Sequence, residues 1–356
     1  MLWLAIGVLL FVVTFTATTL LGKIFINKNS ELEEYTFKKD VYLYMFLMFL
    51  IGSIGIGFFL PHFHDFVVPL KILQIAGAFF FAAIIYLLFL LETKKLLDLA
   101  VFALSILSAF WFISKDSLAF SAFIPYQLEI LGIGILVALF VLSAKILIAL
   151  PSLYSSFISM VLIGLLLISL IGGLPSYVIL FASLMLGAWI AVLQMNFFEF
   201  KFKINEGAVM SANFLLGAIL LLGVNEFAAP SMLILVIYPL AELIWCVIAD
   251  YILKRHVPDL YLNAAYYTAF EKGADLQTLR AFIFKLSVTN IALALFQLYA
   301  PNPFTLPFLG FLINFWLMAK LYNIDQPNQT LKQTNTQFMQ DVKNEIENIK
   351  QTFKKD

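Results

Sequence analysis

The residues with the most to offer chemically lie in Asn196–Leu216, NFFEFKFKINEGAVMSANFLL, the one strongly polar interruption in the second half of an almost continuously apolar chain. Lys201, Lys203, Asn205 and Glu206 stand there between two hydrophobic runs, each long enough to be a membrane helix, so they belong at a membrane face where water or substrate reaches them. Lys201 and Lys203 alternate with Phe198, Phe200 and Phe202, so one edge of the segment can meet phosphate while the other enters lipid. Lysines snorkelling beside interfacial aromatics give the same pattern. Three acids sit at comparable boundaries: Glu92 ends the third apolar run, Asp98 opens the fourth and Glu206 opens the eighth. Carboxylates that converge, Glu92 and Glu206 first among them, would hold Mg²⁺ together with phosphate oxygens and water, whereas carboxylates that stay apart are merely solvated. Glu242 is a different case, an acid near the middle of an apolar run, three residues after Pro239 in YPLAELIWCV. A carboxyl there is expensive unless it has a partner across helices or a task, and the proline ring nearby removes a backbone donor.

These residues need helices to position them. The chain is 62% hydrophobic and 12% charged, with a mean hydropathy of +0.96, which excludes a soluble globular domain of 356 residues. The composition predicts an all-α, polytopic integral membrane protein. With ~20 apolar residues needed to cross ~30 Å of hydrocarbon, about eleven spans are expected. They fall near 2–22, 41–60, 67–91, 96–113, 128–149, 152–171, 176–195, 208–224, 231–253, 281–299 and 304–322. The first run has neither a preceding basic residue nor a cleavage site after it, and reads as a retained helix. Loops are short, giving one membrane domain over 1–322 and a polar tail over 323–356.

Basic residues occupy every second loop: Lys23, Lys28, Lys38 and Lys39, then Lys94 and Lys95, Lys145, Lys201 and Lys203, and finally Lys254, Arg255, Lys272 and Arg280. The alternate connections at 61–66, 172–175, 225–230 and 300–303 carry no Lys or Arg, and only Lys71 and Lys115 break the pattern. The positive-inside rule then predicts an outside N-terminus and a cytoplasmic C-terminus in the inner membrane. Glu129 and Lys71 fall near outer helix ends and read as interfacial. In the tail, Phe338, Val342, Ile346, Ile349 and Phe353 recur at helical spacing, an amphipathic helix for the inner leaflet or a protein partner.

Other chemistries find little support. The single cysteine, Cys246, excludes an intramolecular disulfide framework, a cysteine zinc cage or a CxxC redox pair. His62 and His64 fall outside and His256 inside, so they form no ligand set, and zero net charge gives no field to draw nucleic acid. There is no Gly-rich phosphate loop, GxSxG elbow or HExxH motif.

The order of features resembles the polyprenyl-phosphate N-acetylhexosamine-1-phosphate transferases of glycosyltransferase family 4. The predicted topology is theirs. In that family an Asn, a Lys and a Gly-Asp-x-Gly-Ser motif open the eighth helix, and Asn196, Lys201, Asn205-Glu206 and Gly217 stand at matching places. A Pro-hydrophobic-x-Asp follows, matched by Pro239, Leu240, Ala241 and Glu242, and the next loop is similar through Lys254-Arg255, Pro258 and Gly273. The resemblance covers roughly 175–300 and implies an enzyme joining a UDP-sugar to polyprenyl phosphate with Mg²⁺. Its matched positions make Asn196, Lys201 and Asn205 substrate-binding, and Lys145 and Lys203 join them as cations that can bind phosphate oxygens directly. The departures fall on the family's catalytic positions. Its paired aspartates correspond at best to Glu92-Thr93, its Asn/Asp-rich fifth-helix loop to SAKILIALPSLYSS, and its histidine motif to NAAYYT, with Tyr266 and Tyr267.

Three functions are therefore expected in order. The first is a catalytically degenerate relative, a pseudoenzyme that binds polyprenyl lipid or a protein partner in cell-envelope glycan assembly. The second is a diverged but active transferase using Glu92, Asp98, Glu206 and Asp259 as replacement acids. The third is a transporter or flippase, which Glu242 permits. If the family topology holds, the loops around Glu92, Lys145, Glu206 and Tyr266 should meet in one cleft.

Overall fold

The computed structural model describes residues 2–29, 69–90, 94–113, 125–147, 151–195, 206–223, 229–253 and 264–322. The expected span at 41–60 and the expected amphipathic tail helix lie outside these residues. Of the basic loop expected after residue 22, residues 23–29 instead continue the first helix, and the rest lies outside the described residues. All regular structure among the described residues is helical: α1 (Leu2–Asn29), α2 (Pro69–Leu90), α3 (Lys94–Phe112), α4 (Tyr126–Leu147), α5 (Pro151–Ile171), α6 (Ser176–Met195), α7 (Glu206–Gly223), α8 (Ala229–Leu235), α9 (Ile237–Leu253), α10 (Ala265–Glu271), α11 (Leu276–Gln297) and α12 (Thr305–Tyr322). Among the described residues, five helices are long and apolar enough to cross a membrane, or six if the bent pair α8–α9 is one span. The chain has the make-up of a multi-pass membrane protein. Leu4–Leu20, Gly77–Phe89, Leu96–Phe112 and Glu206–Leu221 are shorter apolar helices.

Prolines mark the helix starts. Pro69 and Pro151 are the first residues of α2 and α5, where a missing N–H costs nothing and the fixed φ suits the helix. Pro125 and Pro175 stand just before α4 and α6, and their carbonyls accept the first-turn N–H groups of Leu128 and Val178 at 2.9 Å. The α5–α6 connection turns on Gly173, at φ 64°, a backbone region where a side chain would crowd the carbonyl. α11 begins five residues before the apolar run because Asp275 caps it, its side chain accepting the Thr278 N–H at 2.9 Å.

The expected single span 231–253 is two helices instead, bent by 57°. Pro239 explains the break: it has no N–H for the Leu235 carbonyl four residues earlier, and its ring would clash with that carbonyl in a straight helix. Glycines and hydroxyls set the closest helix contacts, and α1 lies along α6, with Ser183, Gly187 and Ala191 four residues apart on α6. A Cβ at Gly187 would overlap Thr14 and the Phe11 carbonyl. Gly187→Leu should therefore cost at least about 1–3 kcal/mol of overpacking and lower the thermal unfolding temperature. Gly77→Leu, where a Cβ meets nothing within 4 Å, should leave it unchanged; equal effects would remove the packing argument.

Buried polar pairs fix the helices further in. The Tyr154 hydroxyl of α5 donates to Asn213 Oδ1 of α7 at 2.6 Å, and Asn213 Nδ2 donates to the Phe140 carbonyl of α4 at 3.2 Å. Asn290 and Asn314 exchange amide hydrogen bonds between α11 and α12 at 3.3 and 2.7 Å.

Candidate functional site

Three charged helix ends meet at one end of the bundle. α4 packs against both α3 and α7. The approach is close because Gly134 of α4 faces Ile106 and Ala109 of α3, and Gly217 of α7 faces Val137 of α4. The last turn of α4 thereby delivers Lys145 to the starts of α3 and α7. Its ammonium lies 2.5 Å from Asp98 Oδ1 and 2.7 Å from Glu206 Oε1. Two of the charges suit their helices: Glu206 is in the opening turn of α7, where the dipole is positive, and Lys145 is in the last turn of α4, where it is negative. Asp98 lies just beyond the opening turn of α3. The side chains are 28%, 48% and 30% exposed for Lys145, Asp98 and Glu206, so the triad is partly open on one side and packed against protein on the other.

A second polar group adjoins the first. The Tyr266 hydroxyl of α10 donates to the carbonyl of Ile146, the residue after Lys145. The preceding residue, Ala265, donates its N–H to Glu242 Oε1 at 2.6 Å. Glu242 is fully buried in α9, with the Tyr238 hydroxyl one turn earlier beside it. The short helix α10 thus joins the end of α4 to the carboxyl in α9. Lys272 extends the tie, donating to the Tyr322 carbonyl of α12 at 2.5 Å. Nearby in the chain order, Arg280 Nε of α11 donates to Ser152 Oγ at the start of α5, at 2.9 Å.

Of the residues singled out in the sequence, the structure brings Asp98, Lys145 and Glu206 into contact and puts Tyr266 one residue along from them. Glu242 belongs to the adjoining group, with a backbone N–H as its partner. Glu92, Asn196, Lys201, Lys203, Asn205 and Asp259 lie outside the described residues. Two features escaped sequence reasoning. The Arg280–Ser152 bond joins residues far apart in the chain with no local signal. α10 has only seven residues, AYYTAFE, too few to show a helical period.

The arrangement bears on two chemical expectations. Lys145 was expected to offer its charge to phosphate, but Asp98 and Glu206 already take that charge up, and the triad sums to one negative charge. The place between these two carboxylates, where a divalent ion would bridge them, is held by an ammonium, so the residues present there do not fit Mg²⁺. Among the described residues no group of three or more His, Cys, Asp or Glu side chains gathers as a metal-ligand set. No protein-family model matches the chain, and no curated protein matches it significantly.

Proposed function

We propose that this chain is a multi-pass inner-membrane protein built like the polyprenyl-phosphate sugar-1-phosphate transferases, which binds a polyprenyl lipid or a partner enzyme of envelope glycan assembly without turning substrate over. In this reading it has about eleven spans, an outside N-terminus, and a triad on the cytoplasmic face. The observation that carries the absence of turnover is Lys145, 2.5 and 2.7 Å from the two acids. A phosphoryl transferase neutralises phosphate charge with a metal or with free cationic clamps. Here the central cation is spent on protein carboxylates. Lys201 and Lys203, on the connection into α7, are the cations for a lipid phosphate, held as point charges.

The purified protein is expected to release no UMP from a UDP-N-acetylhexosamine in the presence of polyprenyl phosphate and Mg²⁺. It should still bind polyprenyl phosphate, with weaker binding once Lys201 and Lys203 are replaced. UMP release that disappears in Glu206→Gln would establish the diverged, active transferase in its place. A transporter is the second reading, favoured by the 57° bend between α8 and α9 and the buried Glu242 just beyond it, since broken helices and intramembrane acids recur at transport sites.

A further inference from the structure

At the other end of α4 from Lys145 a cavity of about 420 Å³ lies among α4, α7, α8, α9 and α12. We propose that it is a lipid site: it takes one hydrocarbon chain of an amine-headed membrane lipid, with the ammonium on Glu129. The inference stands apart from the proposed function, because Glu129 is about 24 Å along α4 from the triad at ~1.5 Å per residue.

The bend makes the cavity. α8 leans away from the line of α9, so Pro230, Leu233 and Val236 form one wall and Phe140 and Leu240 the deep end. Every lining side chain is apolar except that of Glu129. The volume lies in the range of ~300–1,000 Å³ usual for small-ligand sites, which pair apolar walls with few polar groups. Leu136, Phe304 and Phe308 also line the cavity and are 39%, 52% and 65% exposed. The opening is therefore sideways, onto the face of the bundle that meets lipid, and an acyl chain can enter without leaving the bilayer.

Glu129 decides the head group. It is 5% exposed and sits in the first turn of α4, where the helix dipole favours a carboxylate. A carboxylate has about four lone-pair sites, so it can accept an ammonium donor beside another partner, and it repels a lipid whose head is net negative and carries no cation. An ammonium on a carboxylate is a charge-assisted hydrogen bond, stronger than its neutral counterpart. Phosphatidylethanolamine has both features: one of its two acyl chains can insert while the other stays in the bilayer, and its ammonium is a donor to place on Glu129.

The test uses the full chain in nanodiscs of equimolar phosphatidylethanolamine and phosphatidylglycerol, moved into detergent, with retained lipid read by native mass spectrometry. Phosphatidylethanolamine should be retained about tenfold over phosphatidylglycerol, the ratio that ~1.4 kcal/mol produces. Glu129→Gln should keep bound lipid and bring the ratio close to one. Ala229→Trp and Leu233→Trp, which fill the cavity from α8, should lose both lipids. A measurement free of variants checks the same point: dodecylamine should displace the retained lipid and dodecanoate should not. Equal retention of the two lipids by the unmodified chain, or displacement by both amphiphiles alike, would overturn the head-group assignment. Full retention in both tryptophan variants would overturn the cavity itself.

Discussion

Lys145→Met should lower stability by about 1–3 kcal/mol and make the remainder respond to divalent cations. Removing one member of a fully buried ion pair typically costs about 3–5 kcal/mol, because the other charge stays behind without its partner. The side chains here are 28–48% exposed, and water screens what is left, which brings the figure down. Two carboxylates remain, each formerly within 2.7 Å of the same nitrogen, so they repel one another in the variant. Mg²⁺ can then enter between them, and a ligand that binds only the folded state raises stability by mass action. Thermal unfolding in detergent with Mg²⁺ or with EDTA reads both effects. The variant should melt lower than the unmodified chain in EDTA and recover in Mg²⁺, while the unmodified chain is indifferent to the ion. Adding Asp98→Asn to Lys145→Met should abolish the response to Mg²⁺ by removing half the pair. If the unmodified chain is itself stabilised by Mg²⁺ as strongly as the variant, the lysine does not hold the place of a metal and the degenerate reading loses its basis.

The meeting of Lys145 and Glu206 was legible from alternation alone. Helices that cross and return must put the end of α4 and the start of α7 at one face. Asp98 belonged to the same set by the same parity. The sequence could not say that the three would touch, since that depends on how closely α4 approaches α3 and α7. The approach is set by Gly134 and Gly217, whose significance appears only once Ile106 and Val137 are known to oppose them. The bend at Val236 had a signal in Pro239, but hydropathy averages across it and reports one span. The early start of α11 had one too, in Asp275 and Thr278, outweighed by the weaker apolar character of its first turns. The partner of Glu242 had none: Ala265 is 23 residues further along the chain, in a helix too short to nucleate alone.

That partnership gives the largest expected effect of a single substitution. Glu242→Ala should destabilise the protein by about 3–5 kcal/mol and loosen α10 before the rest of the bundle. Two costs combine. The Ala265 N–H, whose residue is fully buried, loses its acceptor in a setting without water to replace it. The truncated side chain also leaves a gap in a packed region, against Tyr238 and the start of α10. Glu242→Gln keeps the volume and an oxygen that can accept the same N–H, so a structural carboxyl predicts a loss of no more than about 1 kcal/mol. Hydrogen–deuterium exchange over 264–271, beside a thermal melt, separates the cases. Fast exchange there in the Ala variant, with near-native protection in the Gln variant, marks Glu242 as the cap that holds α10 on α9. If Gln is as damaging as Ala, the negative charge itself is required. The buried acid then belongs to an ion or proton site, as the transporter reading would have it. If neither variant changes protection of α10, the 2.6 Å bond contributes nothing to the position of that helix.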